Sequence, residues 1–155
     1  MEFEDICTIV DSVIDLSVQN KRALLHDLAH RAAPVLKVDD NILFSALLKR
    51  EELGSTGVGN GVAIPHVRLE QVKKPLAILA RLKQPIDFES IDGQPVDLVC
   101  LLLLSKENEP TQPNALAAVA RRLRMPELLE QLRRAPNHVV LYNLMVGRPG
   151  VYRSQ

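Results

Sequence analysis

Four glycines, at positions 54, 57, 59 and 61, fall within eight residues and run into Pro65 and His66 in the stretch GSTGVGNGVAIPHVRLE. Glycine enters backbone regions closed to other residues and weakens helix and strand interiors alike. The stretch therefore reads as a loop with several unusual backbone angles, which no regular helix or strand would tolerate well. Val62 to Ile64 leaves room for a short strand after it, and Pro65 fixes the approach to His66.

Hydrophobic periodicity places the elements around this loop. Ser12 to Val18 alternates loosely and reads as a first strand. Asn20 caps a helix running to about Ala33, with Leu24, Leu25, Leu28 and Ala32 on one face and Pro34 helping to end it. Asp39 or Asp40 caps a second helix with an apolar stripe of Ile42, Leu43, Ala46, Leu47 and Leu48, and Gly54 takes the C′ position. Beyond the loop, Leu76, Ile78, Ala80 and Leu82 recur at period two within Pro75 to Lys83, a half-buried strand. Val96 to Leu104 is nearly all apolar and too short for an average helix, hence a central strand. Asp92-Gly93 and Gln94-Pro95 supply the turn before it.

A polar loop, Ser105 to Gln112, follows. Pro113 fits the first turn of a helix over Asn114 to Arg124, with Leu116, Val119, Ala120 and Leu123 in register. Pro126 starts another helix, and a last one spans Asn137 to Val146, with Val139, Val140 and Leu144 on its apolar side. The pattern predicts an α+β fold, a three-layer α/β/α sandwich with a mixed central sheet. A single domain would cover residues 1–147, with 148–155 as a C-terminal tail.

Composition removes several functions. Aromatic residues make up 3% of the chain and Trp is absent, so Leu, Val, Ile and Ala must fill the interior. That poverty also argues against a sugar-stacking cleft or an aromatic platform for single-stranded nucleic acid. The 19 basic and 19 acidic residues cancel, leaving no overall drive toward nucleic acid or an anionic membrane. Arg121, Arg122, Arg124, Arg133 and Arg134 form a local basic cluster that reads as a solvated helix face. Cys7 and Cys100 are too few and too far apart for a disulfide scaffold, and Cys100 reads as a small buried hydrophobe. The acidic N-terminus lacks a signal-peptide pattern, and the apolar run Leu98 to Leu104 falls far short of the ~20 residues that span a bilayer. A cytoplasmic protein without membrane insertion is expected.

The glycines invite a nucleotide reading, which fails. A P-loop requires G-x-x-x-x-G-K-[ST], but Gly54 is followed five positions later by Gly59, Asn60 and Gly61 with no lysine. The dinucleotide fingerprint also fails, because Val62 stands where the third glycine belongs and the loop follows a helix. What remains is a glycine loop ending on a proline and a histidine. Neutral imidazole is a good nucleophile near pH 7, given an ordinary pKa of ~6.5. Attack on a phosphoryl group needs an accessible ring nitrogen, an in-line approach and donors for the equatorial oxygens. Backbone N–H groups of the loop, including Gly59, and the side chains of Ser55, Thr56, Asn60 and Arg68 are groups of the right kind.

Other candidates carry less. His26 and His30 have a metal-compatible helical spacing, but no nearby Cys or acidic pair completes a site and Asp27 faces elsewhere on the helix. No metal and no cofactor are expected. His138 reads as a capping or surface residue, and Asp87, Glu89, Asp92 and Asp97 are scattered across strand and turn.

From Lys49 through Leu69, KREELGSTGVGNGVAIPHVRL resembles the signature of phosphotransferase-system enzyme IIA of the mannitol/fructose class, and GSTGVGNGVAIPH is especially like its nitrogen-regulatory branch. PIDFESIDGQPVDLVCLLL resembles that family's sheet segment and LAAVARRL its following helix; NKRALLHDLA and LYNLM also fit, so the resemblance spans nearly the whole chain. It implies that His66 accepts phosphate through Nε2 from a phosphohistidine carrier of the HPr/NPr type. It also implies a bacterial origin, no metal, and a role for Arg50 in holding the loop or the phosphate. Sensor kinases and transporters are the regulatory partners it suggests.

Two departures stand out. Members of the family usually carry a second histidine in a pattern like H-L-x-x-L-x-x-[LV]-[AS]; here QPNALAAVA aligns, putting Gln112 and Pro113 where His and Leu are expected. Gln donates a neutral amide N–H and cannot become cationic, so weaker stabilisation of the phosphorylated form is expected. Val67 also follows the histidine where a smaller residue is usual, narrowing access slightly. Three readings follow: a regulatory phosphocarrier, a transport component passing phosphate to a membrane permease subunit, or an interaction domain that has lost phosphorylation. The absence of a fused membrane subunit or second carrier domain from the sequence favours the first.

Overall fold

A computed structural model describes residues 2–107 and 114–147. The chain runs α1 (Phe3–Ile6), β1 (Thr8–Leu16), α2 (Lys21–Leu36), α3 (Asp40–Glu52), β2 (Gly57–Gly59), β3 (Val62–Ala63), β4 (His66–Leu69), β5 (Leu76–Ile86), β6 (Val96–Ser105), α4 (Ala115–Arg122), α5 (Pro126–Arg134) and α6 (His138–Val146). Six strands form one mixed sheet in the order β1-β5-β6-β3-β2, with β4 also on β6. β1 is parallel to β5, β5 antiparallel to β6, and β3 and β4 both parallel to β6.

β6 is the central strand that its composition predicts. Its alternating side chains serve two cores: Leu98, Cys100, Leu102 and Leu104 join the cluster under α1, α4, α5 and α6, while Val99, Leu101 and Leu103 join the one under α2 and α3. Helices thus cover both faces, and the expected three-layer α/β/α sandwich is observed in a single domain. Burial pushes the Cys7 thiol up to about 12 and raises that of Cys100 too, which keeps both as neutral packing groups.

Several local expectations are corrected. Strand β1 covers Thr8–Leu16 rather than Ser12 to Val18, and a short helix precedes it. Pro34 lies inside α2, which continues to Leu36 before Lys37 enters the left-handed region. Pro34 removes the N–H that would pair with the His30 carbonyl, and both residues are exposed, where the loss costs less than in the interior. The apolar side of α6 is Val140, Leu141, Leu144 and Met145; Val139 is exposed, as is Ile42 on α3.

The glycine stretch is more regular than expected. β2 and β3 form an antiparallel hairpin whose turn is Asn60-Gly61, both with positive φ (57° and 78°). Asn-Gly is a strong signal for such a tight turn, and the four glycines obscured it by suggesting disorder of angle throughout. β3 and β4 then continue end to end along the same edge of β6, interrupted at Ile64-Pro65, where the Leu102 N–H donates to the Pro65 carbonyl at 2.8 Å. The expected tail, 148–155, lies outside the described residues.

Candidate functional site

His66 opens β4 opposite Leu102 of β6 and is half-buried. Its pairing partner belongs to the cluster under α4, α5 and α6, so the imidazole and Arg68, two residues on, share that side of the sheet. The ring's Nδ1–H donates to the Ile64 carbonyl at 2.7 Å. A carbonyl only accepts, so this bond fixes the tautomer and leaves the lone pair of the neutral ring on Nε2.

Burial holds the His66 pKa below the ordinary 6.5; the bond to Ile64 and the carboxylate of Glu51 oppose this, while Arg50 and Arg68 add to it. The ring is therefore neutral at pH 7 and flanked by two guanidinium charges. Arg50 leaves the last turn of α3 and donates to the Gly54 carbonyl at 3.0 Å, while Arg68 donates to the Ser105 carbonyl at 3.1 Å. Each bond uses one of five guanidinium N–H donors.

The candidate loop residues divide into two groups. Ser55 and Thr56 lie beside the His66 approach: the Ile64 N–H donates to the Thr56 carbonyl at 2.9 Å. Thr56 is buried, and Ser55 Oγ donates to the Phe88 carbonyl at 2.7 Å while accepting from the Gly57 N–H at 3.1 Å. Gly59 and Asn60 sit at the hairpin tip instead. β3 meets β6 at Leu98 and His66 meets it at Leu102, so the tip lies more than four residues from His66, at least about 13 Å along the strands. There the Asn60 N–H donates to Asp92 at 3.0 Å, and the Asn60 carbonyl accepts from Arg133, which also clamps Asp97. The backbone N–H groups of Thr56, Gly57 and Asn60 are all spent on internal acceptors, so those three donate inward. Gln112, at the position of the expected second histidine, lies outside the described residues.

Two residues that sequence reasoning passed over, Glu51 and Lys21, organise the near group. Glu51 is 8% exposed and accepts from the Thr56 N–H (2.8 Å), Thr56 Oγ (2.7 Å) and Lys21 Nζ (3.1 Å). Lys21 also pairs with Glu89 at 3.1 Å and lies 4.8 Å from the Phe88 ring centre. A signal did exist. Lys21 is the first residue of α2 and Glu51 lies in the last turn of α3, so each charge opposes its helix dipole.

The other candidates find structural work. His26 meets Phe44 edge-on at 5.0 Å and His30 pairs with Asp40. Asp27 shares their groove, contrary to expectation, but binds Arg31 at 2.7 Å. His138 opens α6, whose cap is Asn137, and its carbonyl accepts from Ser12. In the basic cluster, Arg122 is half-buried and donates to the Leu144 carbonyl at 2.8 Å, so that part is not a solvated face. Among the described residues, no group of three or more His, Cys, Asp or Glu is placed to hold a metal, and no helix is long and apolar enough to cross a membrane.

A helix-covered mixed sheet presenting one neutral histidine beside two arginines offers a nucleophilic ring nitrogen next to donors suited to an anionic group. Residues 6–146 match the model of the phosphoenolpyruvate-dependent sugar phosphotransferase system EIIA 2 family, and the chain belongs to that family. Within it, the chain is similar to nitrogen regulatory proteins. It is 42% identical to that of Bradyrhizobium diazoefficiens over 86% of this chain and 88% of the relative. With that of Escherichia coli K12 it shares 37% identity over 85% and 82% of the two chains. The crystal structure of nitrogen regulatory protein IIA-Ntr from Neisseria meningitidis superposes with a TM-score of 0.83 at 28% identity, covering 91% of this chain and 97% of that one. IIA mannitol from Escherichia coli shares the fold, with a TM-score of 0.68 at 20% identity over 85% and 94% of the two chains.

Proposed function

We propose that this chain is a cytoplasmic bacterial phosphocarrier of regulatory type, which takes a phosphoryl group on His66 Nε2 from an HPr/NPr-type carrier and signals its state to protein partners. The observation that carries this reading is the Nδ1–H bond to the Ile64 carbonyl, which leaves the lone pair on Nε2 of a half-buried ring kept neutral. The Nε2–P bond forms as the carrier's P–N bond breaks, its electron pair returning to the donor imidazole. The positive charge thereby passes from the carrier's ring to that of His66, and the Ile64 carbonyl stabilises the retained Nδ1 proton. Arg50 and Arg68 hold spare N–H donors for the phosphoryl oxygens. Transfer between two histidines exchanges similar bonds, so positioning dominates the rate. The phosphate adds about −2 charge at the sheet edge, enough to repel an acidic surface or recruit arginines on a sensor kinase or transporter.

The similarity to nitrogen regulatory proteins favours this reading over sugar transport. Incubation with phosphoenolpyruvate, the first enzyme of the system and its carrier should give acid-labile phosphate on the wild type and none on His66→Ala. An unmodified wild type would leave an interaction domain alone. Gln112 aligns with the family's second histidine and has only a neutral amide to offer a phosphate, so Gln112→His should lengthen the phosphohistidine lifetime in the same assay; an equal lifetime removes Gln112 from the site.

A further inference from the structure

The segment carrying His66 is braced from a carboxylate whose hydrogen bonds go to Thr56 and Lys21 rather than to the ring. Glu51 receives three donors, two of them from Thr56 and one from Lys21. The Thr56 carbonyl receives the Ile64 N–H, and the carbonyl of the same Ile64 receives the His66 Nδ1–H. A continuous path thus runs from the α2–α3 layer through one threonine and one isoleucine backbone to the ring. Its two charged members both stand against their helix dipoles, a local cost that their 3.1 Å pairing offsets. Structure that breaks a local rule twice and repairs it once is expected where a function needs the result.

We infer that Glu51 is a positioning residue for phosphoryl transfer, holding Thr56 so that Ile64 presents its carbonyl to His66 and Nε2 keeps the lone pair. The inference rests on His66 being the acceptor. Glutamine in place of Glu51 removes the charge that Lys21 pairs with, and its amide N–H fits opposite the Thr56 hydroxyl only if that hydroxyl reverses to accept, so the charge-assisted bonds that hold Thr56 are weakened and the hairpin root shifts. Displacement of about 1 Å at a reacting atom costs on the order of 100-fold in rate. The ring would also lose its fixed tautomer, since Nδ1–H and Nε2–H forms of a free imidazole coexist.

The test reads the ring itself as well as the reaction. Nitrogen-15 spectra of histidine-labelled, unphosphorylated full-length chain should show one dominant tautomer for wild-type His66 and a mixture in Glu51→Gln. The maximal rate of phosphorylation by the carrier should fall about 10–100-fold, with little change in the carrier concentration giving half that rate. Thr56→Val, which keeps the N–H but removes the hydroxyl, should show a weaker form of both effects, and Thr56→Ser should restore both. This pair carries the test if Glu51→Gln fails to fold. Unchanged tautomer and rate in a folded Glu51→Gln, or in Thr56→Val, would overturn the inference. A wild type that is never phosphorylated would remove the acceptor role, while the tautomer spectra would still decide whether Glu51 orients the ring.

Discussion

The two halves of the glycine-rich stretch look alike in sequence and are held by different means. The near half, Gly54–Gly57, is braced by the buried Glu51–Lys21 pair and by Ser55 on the Phe88 carbonyl, next to the His66 approach. The far half, Gly59–Gly61, is a tight turn pinned by Asp92 and by the Arg133–Asp97 clamp at the opposite end of β6. The glycines differ accordingly. Gly61 is needed first for its backbone, with φ of 78°; an added Cβ would also meet the ends of two side chains, Arg133 Nη2 at 2.5 Å and Asp97 Oδ1 at 3.0 Å. Gly57 is needed for space: a Cβ there would lie 2.2 Å from Ser90 Oγ and 3.0 Å from the Ser90 Cα. One half positions chemistry and the other closes a hairpin, so damage to each should read out differently.

The largest effect should come from Gly57→Ala. The obstructing atoms include the Ser90 backbone, so the segment between β5 and β6 must move, and overpacking of this kind costs about 1–3 kcal/mol. Thermal unfolding should show a clear loss of stability, and phosphorylation should slow in the fraction that stays folded. A stable, fully active Gly57→Ala would mean that the near half is slacker than its contacts suggest.

Arg133→Met should act on the far half alone. The guanidinium makes three contacts of 2.9–3.2 Å with Asp97 and one of 2.6 Å with the Asn60 carbonyl, and the pair is about one-third exposed. Solvent screens such a pair, so the expected loss is about 1 kcal/mol in denaturant unfolding. The rate of phosphorylation should stay at the wild-type level. A large fall in that rate would erase the distinction between the halves and bring Asn60 back toward the site.

This division explains what was legible in the sequence. Period-two alternation marked β5, the unbroken apolar run marked β6, and Asn20 announced the start of the helix that it caps. His66 stood out because a glycine-rich stretch and a proline preceded it. The hairpin did not, because four glycines masked the single pair, Asn60-Gly61, that sets the turn. β4 has only four residues and owes its existence to the free edge of β6, which no local pattern reveals. Glu51 and Lys21 are 30 positions apart, and only the packing of α2 on α3 joins them. Their one local trace, charge of the wrong sign at a helix end, is small beside the loop's louder signals.

The smallest expected effect tests the electrostatics of the near half. Burial lowers the His66 pKa first, and the charges of Arg50 and Arg68 lower it further. Arg50→Met removes one of those charges, so the titration midpoint should rise toward the ordinary 6.5 without passing it, because the burial remains. The sign for stability follows. A histidine whose folded pKa is depressed stabilises the fold above its unfolded pKa, and that contribution is lost as pH falls through the folded value. Wild-type stability should therefore drop on acidification below about 6.5, and the share of that drop due to His66 should shrink in Arg50→Met. The acid limb of the phosphorylation rate should move upward with the midpoint, since only the neutral ring attacks. Arg133→Met should leave the midpoint where it is, because Arg133 is not among the charges acting on His66. Equal midpoints in wild type and Arg50→Met would show that Arg50 serves the Gly54 carbonyl alone and leaves the ring to burial.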